Sequence, residues 1–91
     1  TDKNINMDEL LYKSMFMAVL MDYNRGEYKA SFKTFREVSN YQINTRYKDN
    51  AKYYLALHYK NRKPFKNNYN AYYFFNQVAQ SDSTYKDDAK Y

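Results

Sequence analysis

The sequence predicts an all-α fold of antiparallel helix hairpins stacked side by side, and three observations lead to this prediction. The 91 residues include one glycine and one proline, too few for a fold that depends on many tight turns. Apolar residues recur at the spacing of three and four that places them on one face of a helix. A segment in the middle of the chain also recurs near its end, as in proteins built from repeated helix pairs.

The internal repeat consists of eight matched pairs of residues. The first two pairs are 40 residues apart and the others 38, so one loop differs in length by two residues. The earlier members are Phe35, Val38, Tyr47, Lys48, Asp49, Ala51, Lys52 and Tyr53, and the later members are Phe75, Val78, Tyr85, Lys86, Asp87, Ala89, Lys90 and Tyr91. We expect a single domain over 1–91, with units at about 6–43 and 45–81 and a partial unit at 83–91.

The first hairpin is predicted from its caps and its turn. A helix over about 6–23 would begin at Asn6, whose side chain can accept from free amides, with Glu9 opposing the helix dipole. Gly26 is the one residue in the chain that adopts a left-handed backbone without steric cost, and it predicts the turn. A second helix over 27–39 follows; its buried face would carry Tyr28, Ser31, Phe32, Phe35 and Val38.

The second hairpin follows the same pattern. A third helix is predicted over 47–60, a loop over 61–66 around the proline, and a fourth helix over 68–80. Thr45 and Ser83 are the expected caps of the third helix and of a fifth that only begins. The apolar stripe of the fourth helix would consist of Ala71, Tyr72, Phe75 and Val78. Because the last unit is partial, we expect the chain to be part of a longer repeat protein.

These residues resemble the tetratricopeptide repeat family. Its consensus has Leu, a small residue and Tyr on the first helix of each pair, and a small residue and Phe on the second. The matching residues are Leu55, Ala56, Tyr59, Ala71 and Phe75, with Gly26, Tyr28, Ser31 and Phe35 in the earlier unit. The resemblance implies a short right-handed superhelix of about four helices plus the start of a fifth, in which small residues let Phe75 and Tyr59 interlock.

The same resemblance implies a protein-binding scaffold, in which the first helix of each pair lines a concave groove. Carried over position by position, the groove would present Tyr12, Asp22, Tyr23, Asn50, Tyr53, Lys60 and Asn61, with Met15, Val19 and Leu57 either exposed there or packed inside. A partner protein or peptide would bind within a multi-subunit complex. The long unit is most similar to the repeats of bacterial outer-membrane assembly lipoproteins, which implies the periplasmic side of the cell envelope.

The charge of the chain leaves an alternative function open. The net charge is +5, which suits a basic helical module that binds nucleic acid or an anionic membrane surface. The densest basic cluster is the loop with Arg62, Lys63 and Lys66, either a solvated loop or a contact for an anion or acidic lipid. The aromatic clusters at 53–54 and 72–75 either pack in the core or stack on bases. Helical spacing favours the core.

No residue pattern in the chain predicts chemistry. Cysteine is absent, and His58 is the single histidine, expected to be partly exposed on a helix without a second ligand or nucleophile nearby. We expect no catalytic residue, no metal and no cofactor. The longest apolar run, from Met15 to Met21, is seven residues, against the roughly 20 that a membrane span requires.

Overall fold

The computed structural model describes residues 2–40 and 46–90, and every regular element in these residues is a helix. α1 spans Asp2–Asn24, α2 spans Tyr28–Ser39, α3 spans Arg46–Asn61 and α4 spans Asn68–Ala79. The all-α prediction is therefore confirmed for the described residues. The smallest dimension of the molecule is 19 Å, which is about two helix diameters.

The limits of α2, α3 and α4 lie within about one residue of their predicted positions. α1 differs at its start. It begins at Asp2, so Asn6 lies inside the helix and is not its cap. The residues before Asn6 include no glycine or proline that would stop a helix there. The predicted cap Thr45 lies outside the described residues.

Gly26 ends the first helix as predicted. Its φ angle is +83°, in the left-handed region. The Gly26 N–H donates to the carbonyl of Tyr23, and the Glu27 N–H donates to the carbonyl of Asp22, both at 3.0 Å. This pair of hydrogen bonds is the Schellman motif. It turns the chain back so that α2 packs against α1.

α3 is the central helix, because it packs against α1, α2 and α4, whereas α4 packs on α3 alone among the described helices. Residues at matched positions of the two predicted units are buried alike. The buried pairs are Phe35 and Phe75, Val38 and Val78, and Ala51 and Ala89. Ala56 and Ala71 lie in one cluster with Phe75, and Tyr59 packs against it.

The segment after α4 forms consecutive turns where the start of a fifth helix was predicted. Ser83 nevertheless has the cap role expected of it, since its hydroxyl oxygen accepts from the Tyr85 N–H at 3.0 Å. One bond of α-helical spacing follows, from the Ala89 N–H to the carbonyl of Tyr85. Ala89 is buried against the α4 core, so this segment covers one side of α3 and α4.

Candidate partner-binding surface

The predicted groove residues of α1 face the core of the molecule. Tyr12 is only 8% exposed, and Tyr23 is half-buried with its ring 5.0 Å from that of Tyr54. Asp22 is partly exposed and pairs with Arg25 at 3.1 Å. The expectation of an open groove therefore does not describe Tyr12 or Tyr23. Tyr23 belongs, together with Phe16, to the stripe of α1 that packs on α2 and α3.

The opposite face of α1 is exposed and apolar, a feature that the sequence analysis did not identify. Met17 and Met21 are each half or more exposed. Between Leu10 and Met21 the single charged residue is Lys13. The exposed large apolar side chains of this outward face are Met7, Leu10, Leu11, Met17 and Met21. α1 is thus apolar on two opposite sides, one of which the described residues leave uncovered.

Asn50, another predicted groove residue, holds the segment after α4 against α3 by hydrogen bonds to Ser83 and Thr84, a contact that we call the Asn50 latch. Its side-chain oxygen accepts from the Thr84 N–H at 3.1 Å and from the Ser83 hydroxyl, and its amide donates to the Thr84 hydroxyl at 3.4 Å. The ring of Tyr85 stacks on Tyr53 with centroids 4.5 Å apart. The segment 81–90 therefore covers the start of the α3 face that was predicted to be open, and it buries Asn50.

We expect the Asn50→Ala variant to lose about 1–3 kcal/mol of unfolding free energy, because the buried Ser83 hydroxyl and the Thr84 N–H lose their partner. Hydrogen exchange of the Thr84 and Tyr85 amides should quicken while the α2 amides stay protected. Asn61→Ala is the matched control, since Asn61 is exposed on the same helix. Unchanged exchange at Thr84 in the Asn50 variant would contradict the latch.

The C-terminal end of α3 keeps the exposed part of the predicted groove. Lys60 and Asn61 are exposed and Leu57 is half-buried. The Lys60 ammonium lies 6.0 Å from the centre of the Phe75 ring, a cation–π contact at the limit of its range. This end of α3 therefore offers a small mixed surface of apolar, amide and basic groups.

The basic loop after α3 is only partly solvated. The Arg62 guanidinium lies 4.1 Å from the centre of the Tyr28 ring, and a hydrogen bond with Tyr23 raises the pKa of Arg62. Lys63 and Lys66 are exposed. The loop thus divides into an arginine that joins the two hairpins and two lysines that face solvent.

His58 is fully buried, which corrects the expectation of a partly exposed side chain. Its Nδ1 lies 2.8 Å from the carbonyl oxygen of Tyr54, and its Nε2 lies 3.2 Å from the Ser31 hydroxyl and 3.2 Å from the carbonyl of Tyr28. We assign the proton to Nδ1, so that Nε2 can accept from Ser31, whose hydroxyl also lies within donating distance of the Tyr28 carbonyl at 3.1 Å. Burial lowers the pKa of His58. These contacts join α3 to α2 and leave the ring inaccessible to a substrate.

The aromatic residues of α4 are distributed differently from the prediction. Tyr72 was expected in the core but is 67% exposed, whereas Phe74 is half-buried and stacks on Tyr59 at 5.9 Å. The buried stripe is formed by residues at spacings of three and four from Ala71, which leaves Tyr72 on the outer side. The exposed tyrosines of α4 are Tyr69, Tyr72 and Tyr73. No residue of α4 carries a formal charge.

The described ranges contain neither a metal site nor a membrane span. No three His, Cys, Asp or Glu side chains in residues 2–40 and 46–90 come together as a metal site would require. Over the same ranges, every helix is too short or too polar to cross a bilayer.

Comparison with protein-family models, with curated proteins and with solved structures found no match for this chain. The functional proposal therefore rests on the contacts and the exposed faces of this chain.

Proposed function

We propose that this chain is a non-catalytic scaffold that binds a partner protein through its exposed helical surface, as part of a larger assembly. The observation that carries the proposal is the outward face of α1. Its large side chains are apolar and half or more exposed, and the stretch of three helical turns between Leu10 and Met21 contains one charged residue, Lys13. Contiguous exposed apolar faces of this kind mark interaction sites.

The spacing on the outward face of α1 favours a helix as the partner element. Met7, Leu10, Met17 and Met21 occupy the three-and-four spacing of a helix–helix seam, with Ser14 between them. The small Ser14 and the neighbouring Ala18 would let a second helix approach closely. Lys60 and Asn61, the predicted groove residues that are exposed at the end of α3, would supply separate polar contacts to a partner.

The tetratricopeptide-like arrangement and the bacterial envelope belong to the same proposal. The stacking of α3 on the first hairpin supports the arrangement, as does the equal burial of Phe35 and Phe75. In such an array, helix faces that no neighbouring repeat covers are available to partners. The periplasmic side of the envelope follows only from the resemblance of the long unit to outer-membrane assembly repeats.

A nucleic-acid partner is less well supported by the exposed aromatic residues. Single strands are held where aromatic rings and basic groups alternate along a groove. Here Tyr69, Tyr72 and Tyr73 are exposed on α4, which contains no lysine or arginine. Tyr53 and Tyr54 stack within the protein on Tyr85 and Phe35 respectively. The rings and the cations are therefore largely separated.

The test is quantitative affinity purification from cells of the source organism after nuclease treatment. A partner protein retained by the wild-type chain should be recovered at least about tenfold less with Met17→Glu, because one buried methionine contributes enough energy for this factor. Tyr69→Glu is the matched control, since it makes the same change in polarity on an exposed side chain of α4. Both variants should retain the helical circular dichroism of the wild type.

Two outcomes would count against the proposed function. One is identical recovery of every protein by the wild type and Met17→Glu. The other is recovery that disappears after nuclease treatment and falls steeply with added salt, which indicates nucleic acid.

A further inference from the structure

A cavity of about 870 Å³ lies between the start of α2 and the loop that joins α3 to α4. Its size is that of a site for a small molecule or a few residues of peptide. The apolar part of its lining comes from Tyr28, Ala30, Pro64 and Phe65. None of these residues belongs to the outward face of α1 or to the predicted groove, so this inference does not depend on the proposed function.

The wall of the cavity is fixed by one contact between the two hairpins and by hydrogen bonds within the second hairpin. Phe65 stacks on Phe32 with ring centres 4.3 Å apart and planes inclined by 15°. The Asn67 N–H donates to the carbonyl of Tyr59 at 2.7 Å, and the Phe65 N–H donates to the carbonyl of Arg62 at 2.8 Å. A loop held in this way presents a preformed surface, which reduces the entropy cost of binding.

The rim of the cavity is basic. Lys29, Lys33 and Lys63 line it, together with one acidic residue, Glu27. Lys29 and Lys33 are one helical turn apart on α2, where like charges repel each other. Among the ion pairs between described residues, none involves these three lysines. A carboxylate placed at this rim would relieve the repulsion.

We propose that this cavity binds an acidic peptide segment of a partner protein. An apolar side chain of the segment would enter beside Tyr28, Pro64 and Phe65, and its carboxylates would pair with Lys29, Lys33 and Lys63. Arg62 occupies one face of the Tyr28 ring and Phe32 occupies one face of the Phe65 ring, so neither ring can be sandwiched between two bases. The combination of an apolar cavity and a localised basic rim fits a peptide better than an extended phosphate backbone.

The experiment is an NMR titration of the isotope-labelled chain with a synthetic peptide in which one phenylalanine is flanked by aspartates and glutamates. Saturable shifts are expected at the amides of residues 26–33 and at Lys63 and Phe65. Lys33→Glu should weaken binding about tenfold. The control is Lys13→Glu, because Lys13 is exposed on α1 and does not line the cavity. This variant makes the same change of charge and should leave binding within about twofold of wild type.

Two further peptides and one further variant separate the apolar contact from the charges. Replacing the phenylalanine of the peptide by serine should weaken binding, as should replacing its acids by the corresponding amides. Ala30→Leu, at an exposed position of α2, should weaken it by filling the cavity.

Three outcomes would overturn the inference. The first is the absence of shifts at millimolar peptide, and the second is equal weakening by Lys33→Glu and Lys13→Glu. The third is stronger binding, at these same amides, of a single-stranded oligonucleotide or of vesicles containing phosphatidylglycerol. That result would assign the basic rim to nucleic acid or to anionic lipid respectively.

Discussion

Replacing Phe35 by alanine is expected to lower the free energy of unfolding by about 3–5 kcal/mol. Phe35 is fully buried, and its ring stacks on Tyr54 with centroids 5.1 Å apart. The rings of Phe16, Tyr23 and His58 lie 6.0–6.2 Å away. Because these neighbours come from α1 and α3, the cavity left by alanine would be fixed by three helices and could collapse little. Urea unfolding followed by circular dichroism measures the loss.

Phe75→Ala is the internal control, because Phe75 occupies the matched position in the second unit. Its surroundings are less constrained, since α4 packs on α3 alone among the described helices and the remaining cover is the turn segment with Ala89. We expect this variant to lose about half as much free energy as Phe35→Ala, because a site at the edge relaxes more easily. Equal losses would contradict the idea that the first unit is the better supported of the two.

Total stability limits how this pair can be measured. A chain of this length typically unfolds with about 5–15 kcal/mol, so Phe35→Ala alone removes a large share of it. If that variant is unfolded in buffer, Phe35→Leu and Phe75→Leu make the same comparison with smaller changes in volume. The order of the two losses is the prediction, and it does not depend on the absolute stability.

The limits of α2, α3 and α4 and the end of α1 could be predicted because their signals are local. Gly26 fixes the first turn by its backbone geometry, and Pro64 lies in the loop that joins α3 to α4. Ser83 accepts from the backbone two residues further on, as a cap does. Signals of this kind need no knowledge of the rest of the molecule.

The choice of face could not be predicted where both sides of a helix are apolar. In α1, periodicity groups Tyr12 with Phe16 and groups Leu10 with Met17, but it does not say which group meets α2 and α3. The same ambiguity placed Tyr72 in the core of α4 in the prediction, whereas Phe74 packs there. Only the tertiary contacts decide between the two faces.

The latch at Asn50 was missed for a different reason. Its partners Ser83 and Thr84 are more than 30 residues away in the sequence, and an asparagine within a helix gives no local indication of such a contact. The family resemblance implies an open groove, and it therefore gave Asn50 a role in partner binding. A hydrogen-bond requirement that is met only by a distant segment cannot be read from spacing.

The second large effect is expected from His58→Ala, which should cost about 2–5 kcal/mol at neutral pH. The substitution empties a fully buried site and removes the contacts of the ring with Ser31 and Tyr54. Because His58 links α3 to α2, the transition should shift as a whole and not only for one hairpin. Coincident loss of helical circular dichroism and of tyrosine fluorescence would confirm this.

The pH dependence of stability tests the protonation state of His58. Burial lowers its pKa from 6.5, and the charge of Arg62 acts in the same direction, whereas the carbonyls of Tyr54 and Tyr28 oppose the shift. Below pH 6.5 the unfolded chain therefore binds a proton that the native chain does not. The free energy of unfolding of the wild type should fall as the pH drops below this value.

The His58→Gln variant separates this contribution from that of other groups. Glutamine can still accept from Ser31 but does not titrate, so we expect lower stability at neutral pH and a flatter profile between about pH 8 and about pH 5.5. Asp49 changes the free energy of unfolding in the opposite direction and at lower pH. Burial raises the pKa of Asp49 above 3.8, so as the pH falls its carboxyl is protonated in the native chain before it is protonated in the unfolded chain. A wild-type profile as flat as that of the variant would mean that the pKa of His58 is not lowered in the fold. Stability that rises as the pH falls from about 8 to about 5.5 would mean that the native ring is protonated, with both ring nitrogens donating to the carbonyls of Tyr54 and Tyr28.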